Sequence, residues 1–186
     1  MLLQEESSDY NGLDSIEYDG VMSRVEAIQN ITKAYVYGIQ GGIEVIPFKG
    51  MRLQSKVSYQ IGREQSEDSL KYYPLRHAAP LFGTTHLILE RHKFKVDLYA
   101  DYNAGIKYED LPLSERADSA PYAKDEKGMP FVPSWYTLNL KASWFASRYF
   151  SVNAGIENIT NQLYRPFASG ISAPGINFVT SLKVSF

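Results

Sequence analysis

The chain has 186 residues, 21 acidic and 19 basic side chains, and a net charge of −2. Without a basic excess, binding driven by neutralising nucleic-acid phosphates is not expected. The absence of Cys removes disulfide frameworks, Cys-ligated zinc and thiol catalysis. Fourteen Tyr, nine Phe and two Trp accompany a negative mean hydropathy. That balance points to strands and aromatic belts rather than to a membrane helix, for which no run of about 20 apolar residues exists.

Residues 1–24 are polar and acidic without a clear period, and are expected to form a loop or frayed end; residues 25–186 form the organised part. There, period-two alternation dominates. Ile31, Tyr35, Tyr37, Ile39, Ile43 and Val45 share one face of the first run, which Pro47-Phe48-Lys49-Gly50 breaks as a tight turn. Met51, Leu53, Val57, Tyr59 and Ile61 oppose Arg52, Gln54, Lys56, Ser58 and Gln60 in the next. A weaker run covers 82–91, with Leu87 and Leu89 against His86 and Glu90. A clean one covers 93–106, with Phe94, Val96, Leu98 and Tyr102 against Lys95, Asp97 and Asp101. Runs at 136–144, 150–157 and 176–186 follow, the last placing Ile176, Phe178, Thr180, Leu182, Val184 and Phe186 on one side. Seven strands and no amphipathic helix result.

The connections separate by length. Short turns fall at 47–50, 91–92 and 146–148, and long loops at 62–81, 107–134 and 160–175. A barrel with short periplasmic turns and long extracellular loops has this asymmetry. Aromatics also recur eight residues apart on the apolar face, at Phe94 and Tyr102, Tyr136 and Trp144, and Phe178 and Phe186. Eight residues rise about 27 Å along a strand, or roughly 20 Å vertically at a tilt of about 40°, close to the height of a barrel's apolar band. The fold expected is therefore all-β: part of an up-and-down antiparallel transmembrane β-barrel, with its apolar face on lipid and its charged face on a wet lumen or a plug. Arg at Leu98 should then be costly, and Arg at Asn139 cheap. A soluble β-barrel or sandwich binding a small molecule, or a non-transporting surface barrel, are the alternatives.

The last 30 residues carry a more specific signal. They contain Glu157-Asn158-Ile159-Thr160-Asn161, Tyr164-Arg165, Pro174-Gly175-Ile176-Asn177-Phe178 and a final alternating strand ending at Phe186. In these the chain resembles the C-terminal barrel portion of TonB-dependent outer-membrane receptors. Lys33-Ala34 through Gly38 to Glu44 looks like a recurring strand of that family. Asp125-x-x-Gly128-x-Pro130 before Trp135 resembles a loop pattern of Bacteroidetes-type members. The chain departs at Ile176, where many members carry Arg.

The resemblance implies the last seven strands of a barrel of about 22, found in the bacterial outer membrane and importing a scarce ligand such as an iron chelate, cobalamin or a glycan. It implies outer-membrane lipid and the barrel assembly machinery as partners. The TonB complex and the plug domain would be met only through an N-terminal part, so this chain reads as a fragment. Phe178, Leu182, Val184 and Phe186 resemble the C-terminal assembly signal of barrel substrates.

Ligand contacts are expected from the long loops, where Tyr72, Tyr73, Tyr108, Tyr122 and Tyr164 offer stacking faces and Arg76, Arg116 and Arg165 offer forked donors. Packing of the loops on themselves is the plainer use of the same residues. His77, His86 and His92 match no zinc spacing. Glu109, Asp110, Glu115, Asp118, Asp125 and Glu126 read as a solvated acidic loop before a calcium site. No enzyme signature, cofactor motif or metal site is present, and none of these functions is expected.

Overall fold

A computed structural model describes residues 4–7, 15–24, 27–30, 33–65, 71–76, 78–117, 122–167 and 169–186. Ile31, His77 and Asp118 lie outside them. Within residues 1–24, read as a loop or frayed end, short strands are found. β1 (Gln4–Ser7) pairs with β4 (Ala27–Asn30), and β2 (Ser15–Tyr18) with β3 (Val21–Arg24). The β2–β3 turn is closed by Asp19 and Gly20, both at positive φ, as a two-residue hairpin requires.

The main sheet begins with two long strands, β5 (Ala34–Phe48) and β6 (Met51–Gln65), each of 15 residues. The short β7 (Tyr72–Pro74) adds to the far end of β6. Then come β8 (Phe82–Arg91) and β9 (Phe94–Asn103). A 3₁₀ turn at Tyr108–Asp110, a one-turn helix α1 (Leu113–Ala117) and a small hairpin of β10 (Ala123–Lys124) and β11 (Pro130–Phe131) fill the next connection. β12 (Trp135–Phe145), β13 (Phe150–Glu157) and β14 (Asn177–Val184) complete the sheet. Its order, β5-β6-β8-β9-β12-β13-β14, is the chain order, and every pairing is antiparallel. Seven strands in sequential up-and-down order are those expected from the alternation.

Two details differ from the sequence reading. Pro47 does not end its strand: β5 runs to Phe48, with a shift of register between Val45 and Phe48. A bulge on an outermost strand accommodates a residue that cannot donate to a ladder. The turn is then only Lys49-Gly50, with Gly50 at φ +91, where a side chain is strained and a Cβ would approach the Glu90 carbonyl oxygen to 2.5 Å. The second difference is α1, whose five residues are too few to show a helical period.

Cross-strand register fixes the two faces. Leu53, Leu87, Leu98, Leu140, Ile156 and Phe178 are successive partners across β6, β8, β9, β12, β13 and β14. Tyr102 faces Tyr136, and Phe94 faces Trp144, so the eight-residue aromatic spacing becomes two rows on the same side. This side is exposed, with Ile39, Leu98, Trp144 and Leu182 all open and Phe178 at 76%. On the opposite side, Thr137 and Asn139 are buried together with Tyr99 and Ile88. Among the described residues, buried polar side chains outnumber buried apolar ones, the reverse of a water-soluble domain. An apolar exterior and a polar interior are the pattern of a sheet that faces lipid.

Candidate functional site at the long-loop end

The polar side of the sheet carries a continuous network. Asp97 meets His86 Nδ1 at 3.0 Å, while His86 Nε2 lies 3.1 Å from Thr84 Oγ1. The His86 ring stacks on Tyr99, and Lys141 Nζ sits 4.9 Å from the Tyr99 ring centre and 3.1 Å from Glu157. Asn139 donates to Asp101 and to Thr137 Oγ1, and its Oδ1 accepts the backbone N–H of Asn158 at 2.8 Å. Asp97 and Asp101, four residues apart, are thus each engaged separately. The expectation that Arg would be cheap at Asn139 is corrected here. Asn139 is only 4% exposed and its Oδ1 accepts the N–H that starts the last loop, an acceptor that Arg lacks, so the substitution leaves a buried donor unpaired.

Asn158 explains much of the motif in which it stands. Its backbone is left-handed, φ 52, and the side chain is 3% exposed. The amide nitrogen donates to the carbonyls of Gln162 (2.9 Å) and Pro174 (3.2 Å), and the amide oxygen accepts the Gln162 N–H at 2.9 Å. Asn161 Oδ1 accepts the N–H of Ile176 at 3.2 Å, and a Cβ at Gly175 would stand 2.5 Å from the same oxygen. Two Asn side chains therefore tie both ends of the loop between β13 and β14. Asn tolerates the αL conformation and bonds locally, which suits it to this work. Asp125 does the same for β10 and β11, its Oδ1 accepting the N–H groups of Lys127 and Met129, with Gly128 at φ 78.

These ties shape a cavity of about 480 Å³ between three long connections. Arg76 and Glu115 enter it as an ion pair of 3.5 Å that joins the β7–β8 and β9–β12 connections, with Glu115 buried. Tyr122, Phe131 and Trp135 line the second side, and Tyr164, Arg165 and Ser172 the third. Trp135 and Tyr164 rings are 4.3 Å apart. The buried Trp135 Nε1–H has no hydrogen-bond partner among the described residues, at a cost of about 1–3 kcal/mol. Burial, and secondarily the charges of Asp101 and Glu157, push the Tyr164 phenol above its ordinary value. At neutral pH it is an uncharged donor.

Of the eight loop residues expected to contact ligand, four meet here: Arg76, Tyr122, Tyr164 and Arg165. The others do not line the cavity. Tyr72 packs on Tyr35 at 5.5 Å, and its neighbour Tyr73 pairs with Glu64 in the β6–β7 ladder. Arg116 donates to the carbonyls of Leu111 and Glu109 and lies over the Tyr108 ring at 5.1 Å. That pair fastens its own loop around the fully buried Leu111. Sequence reasoning missed Trp135 and Glu115 as lining residues. The position of Trp135 at the first residue of β12 was the available signal; nothing in the sequence distinguished Glu115 from the other acids of its loop. Phe178, Leu182 and Val184 are exposed on the apolar side of β14, the strand that ends the sheet, and Phe186, two residues past its end, is exposed.

No family model and no curated protein matches the chain. Solved structures do match. The copper transporter OprC superposes with a TM-score of 0.69 over 87% of this chain, at 16% identity. A variant of the ferric enterobactin receptor PfeA from Pseudomonas aeruginosa gives 0.65 over the whole chain, also at 16% identity. A further PfeA variant in complex with enterobactin gives 0.66 over 98%. The chain spans about a quarter of each, 24% of OprC and 27% of PfeA. The long-loop cavity, the polar inner face and the sequential sheet thus sit on a fold shared with part of OprC and PfeA.

Proposed function

We propose that the chain is the C-terminal barrel segment of a TonB-dependent outer-membrane receptor that imports a scarce ligand, an iron chelate, cobalamin or a glycan. The observation that carries this reading is the inside-out sheet, apolar outward and polar inward, with a cavity lined by three long connections at its long-loop end. The cavity supplies an outer vestibule. Arg76 and Arg165 draw an acceptor-rich or anionic ligand, the Trp135–Tyr164 pair supplies a stacking wall, and the neutral Tyr164 phenol donates a hydrogen bond. β14, with an outward apolar row and one edge free in the sheet, serves as the strand that the barrel assembly machinery engages by strand addition.

The TonB complex and plug would act through residues outside this chain. Uptake of labelled ferric chelates, cobalamin and oligosaccharides by cells carrying the full-length protein tests the proposal. One ligand class is expected to accumulate, to stop accumulating when the proton gradient is collapsed, and to bind at least tenfold more weakly after Trp135→Ala with Tyr164→Ala. Uptake that persists without the gradient, or binding indifferent to both substitutions, refutes it.

A further inference from the structure

The short-turn end of the sheet has a chemistry of its own. Its three turns read Pro47-Phe48-Lys49-Gly50, Arg91-His92-Lys93-Phe94 and Phe145-Ala146-Ser147-Arg148-Tyr149-Phe150, and contain no acidic residue. The backbone joins them into one rim. Glu90 N–H donates to Gly50 O at 2.7 Å, Phe145 N–H to Lys93 O at 2.8 Å, and Ser185 N–H to Tyr149 O at 2.8 Å. Lys49, Arg91, Lys93 and Arg148 are all exposed along it. Lys49 and Arg91 form no ion pair among the described residues. Glu90, beside Arg91 in the chain, is on the polar face and is held by Arg52 at 3.1 Å and Lys95 at 3.6 Å. The long-loop end, by contrast, interleaves its basic residues with Glu109, Asp110, Glu115, Asp125 and Glu126.

The rim also lies where the apolar face stops. Arg91 is the cross-strand partner of Phe94, which is the partner of Trp144, so a guanidinium closes the aromatic row on the outward side. Arg148 stands over the Tyr149 ring at 4.5 Å, and Lys93 Nζ donates to Ala146 O at 3.1 Å. Two of the four cations are thereby held at the rim rather than left to sweep solvent. Basic groups just beyond an aromatic belt sit at the depth of lipid phosphates.

We infer that this rim is a binding surface for anionic phospholipid headgroups, which selects them over zwitterionic lipid in the leaflet at the short-turn end. The inference rests on the membrane-spanning reading proposed above, and adds to it a lipid class and a location. Charge complementarity commits it to an anionic lipid. Each headgroup reaches one Lys or Arg, and one such contact near a membrane surface corresponds to a preference of about fivefold.

Trp144 reports on the rim directly. The full-length protein is reconstituted into phosphatidylcholine bilayers containing either brominated phosphatidylglycerol or brominated phosphatidylcholine, and the Trp144 emission is isolated by subtracting the Trp144→Phe protein. The relative binding constant should favour phosphatidylglycerol about fivefold. It should fall toward one at high salt, and in the Lys49→Gln, Arg91→Gln, Lys93→Gln, Arg148→Gln protein. A ratio of one in the parent protein, or a ratio that neither salt nor the substitutions lower, overturns the inference and leaves the membrane reading standing. Trp144 emission quenched by neither lipid overturns both. The salt titration needs no variant, so a poorly folding quadruple substitution does not protect the idea.

Discussion

Replacing Asn158 by Ala and by Gly separates the two ways in which this residue holds the last long loop. Three hydrogen bonds to the loop backbone, of 2.9, 2.9 and 3.2 Å, are lost in either variant together with a long one of 3.4 Å from Thr160 Oγ1; the three backbone bonds, at about 1 kcal/mol each, come to roughly 3 kcal/mol. Ala must also adopt φ near 52, which costs an L-residue about 1–2 kcal/mol more, whereas Gly does not pay it. Local opening of the loop should therefore become easier by about 3 kcal/mol in Asn158→Gly and about 4 kcal/mol or more in Asn158→Ala. Hydrogen exchange of the full-length protein reads this directly, through the Gln162 amide bound to Asn158 Oδ1 and the Ala173 amide bound to Tyr164 O. Exchange of both should accelerate about a hundredfold in the Gly variant and further in the Ala variant, with amides of β9 and β12 away from Asn139 unchanged. Acceleration under threefold, or a Gly variant opening more readily than the Ala variant, refutes the account of Asn158 as a hydrogen-bonding hub in a left-handed backbone.

Leu98→Arg, on the exposed apolar face, should cost about 2–4 kcal/mol in a lipid-refolding titration, while Gln40→Arg on the polar face should cost under about 1 kcal/mol; equal losses would contradict the assignment of faces. The Tyr164 phenol has its folded value raised above 10. Its contribution to loop stability is therefore fully present below the unfolded value of about 10 and is lost as pH rises through the folded value. The difference absorbance between the parent and Tyr164→Phe should titrate above pH 10, and a midpoint at or below that value would show the burial to be wrong. Deleting Phe186 should lower the amount of full-length protein in the outer membrane without changing ligand affinity per inserted copy, because the cavity lies at the opposite end; normal membrane levels would count against β14 as the assembly strand.

Strand number, order and faces were legible because period-two alternation is a strong signal when one face is uniformly apolar, as in β9, where Phe94, Val96, Leu98 and Tyr102 leave no choice of register. Pro47 misled because a bulge is invisible to periodicity. The short ladders of β1–β4 lay in sequence without a clear alternation, so periodicity gave no sign of them. The cavity was half legible. Loop composition nominated Arg76 and Tyr164, but did not separate them from Arg116 and Tyr108, which differ only in where their loop folds. Asn158 and Asn139 stood out as a motif member and a polar-face residue, and only the register between β12 and the last loop revealed that one holds the other.

The inequality of the strands gives the wall an uneven crest. The tight turns that join strands of the main sheet lie at one end, so the difference between the 15 residues of β5 and β6 and the 8 of β13 and β14 emerges at the other. At about 3.4 Å per residue and a tilt of about 40°, the long pair stands roughly 39 Å high and the short pair roughly 21 Å. An apolar band is about 25 Å tall. In the membrane setting proposed above, the β5–β6 hairpin would rise clear of the bilayer as a parapet, while the β13–β14 side would stop near its surface, beside the loop that Asn158 pins. On the proposed function, a ligand arriving along the membrane would meet a low sill on one flank and a high screen on the other.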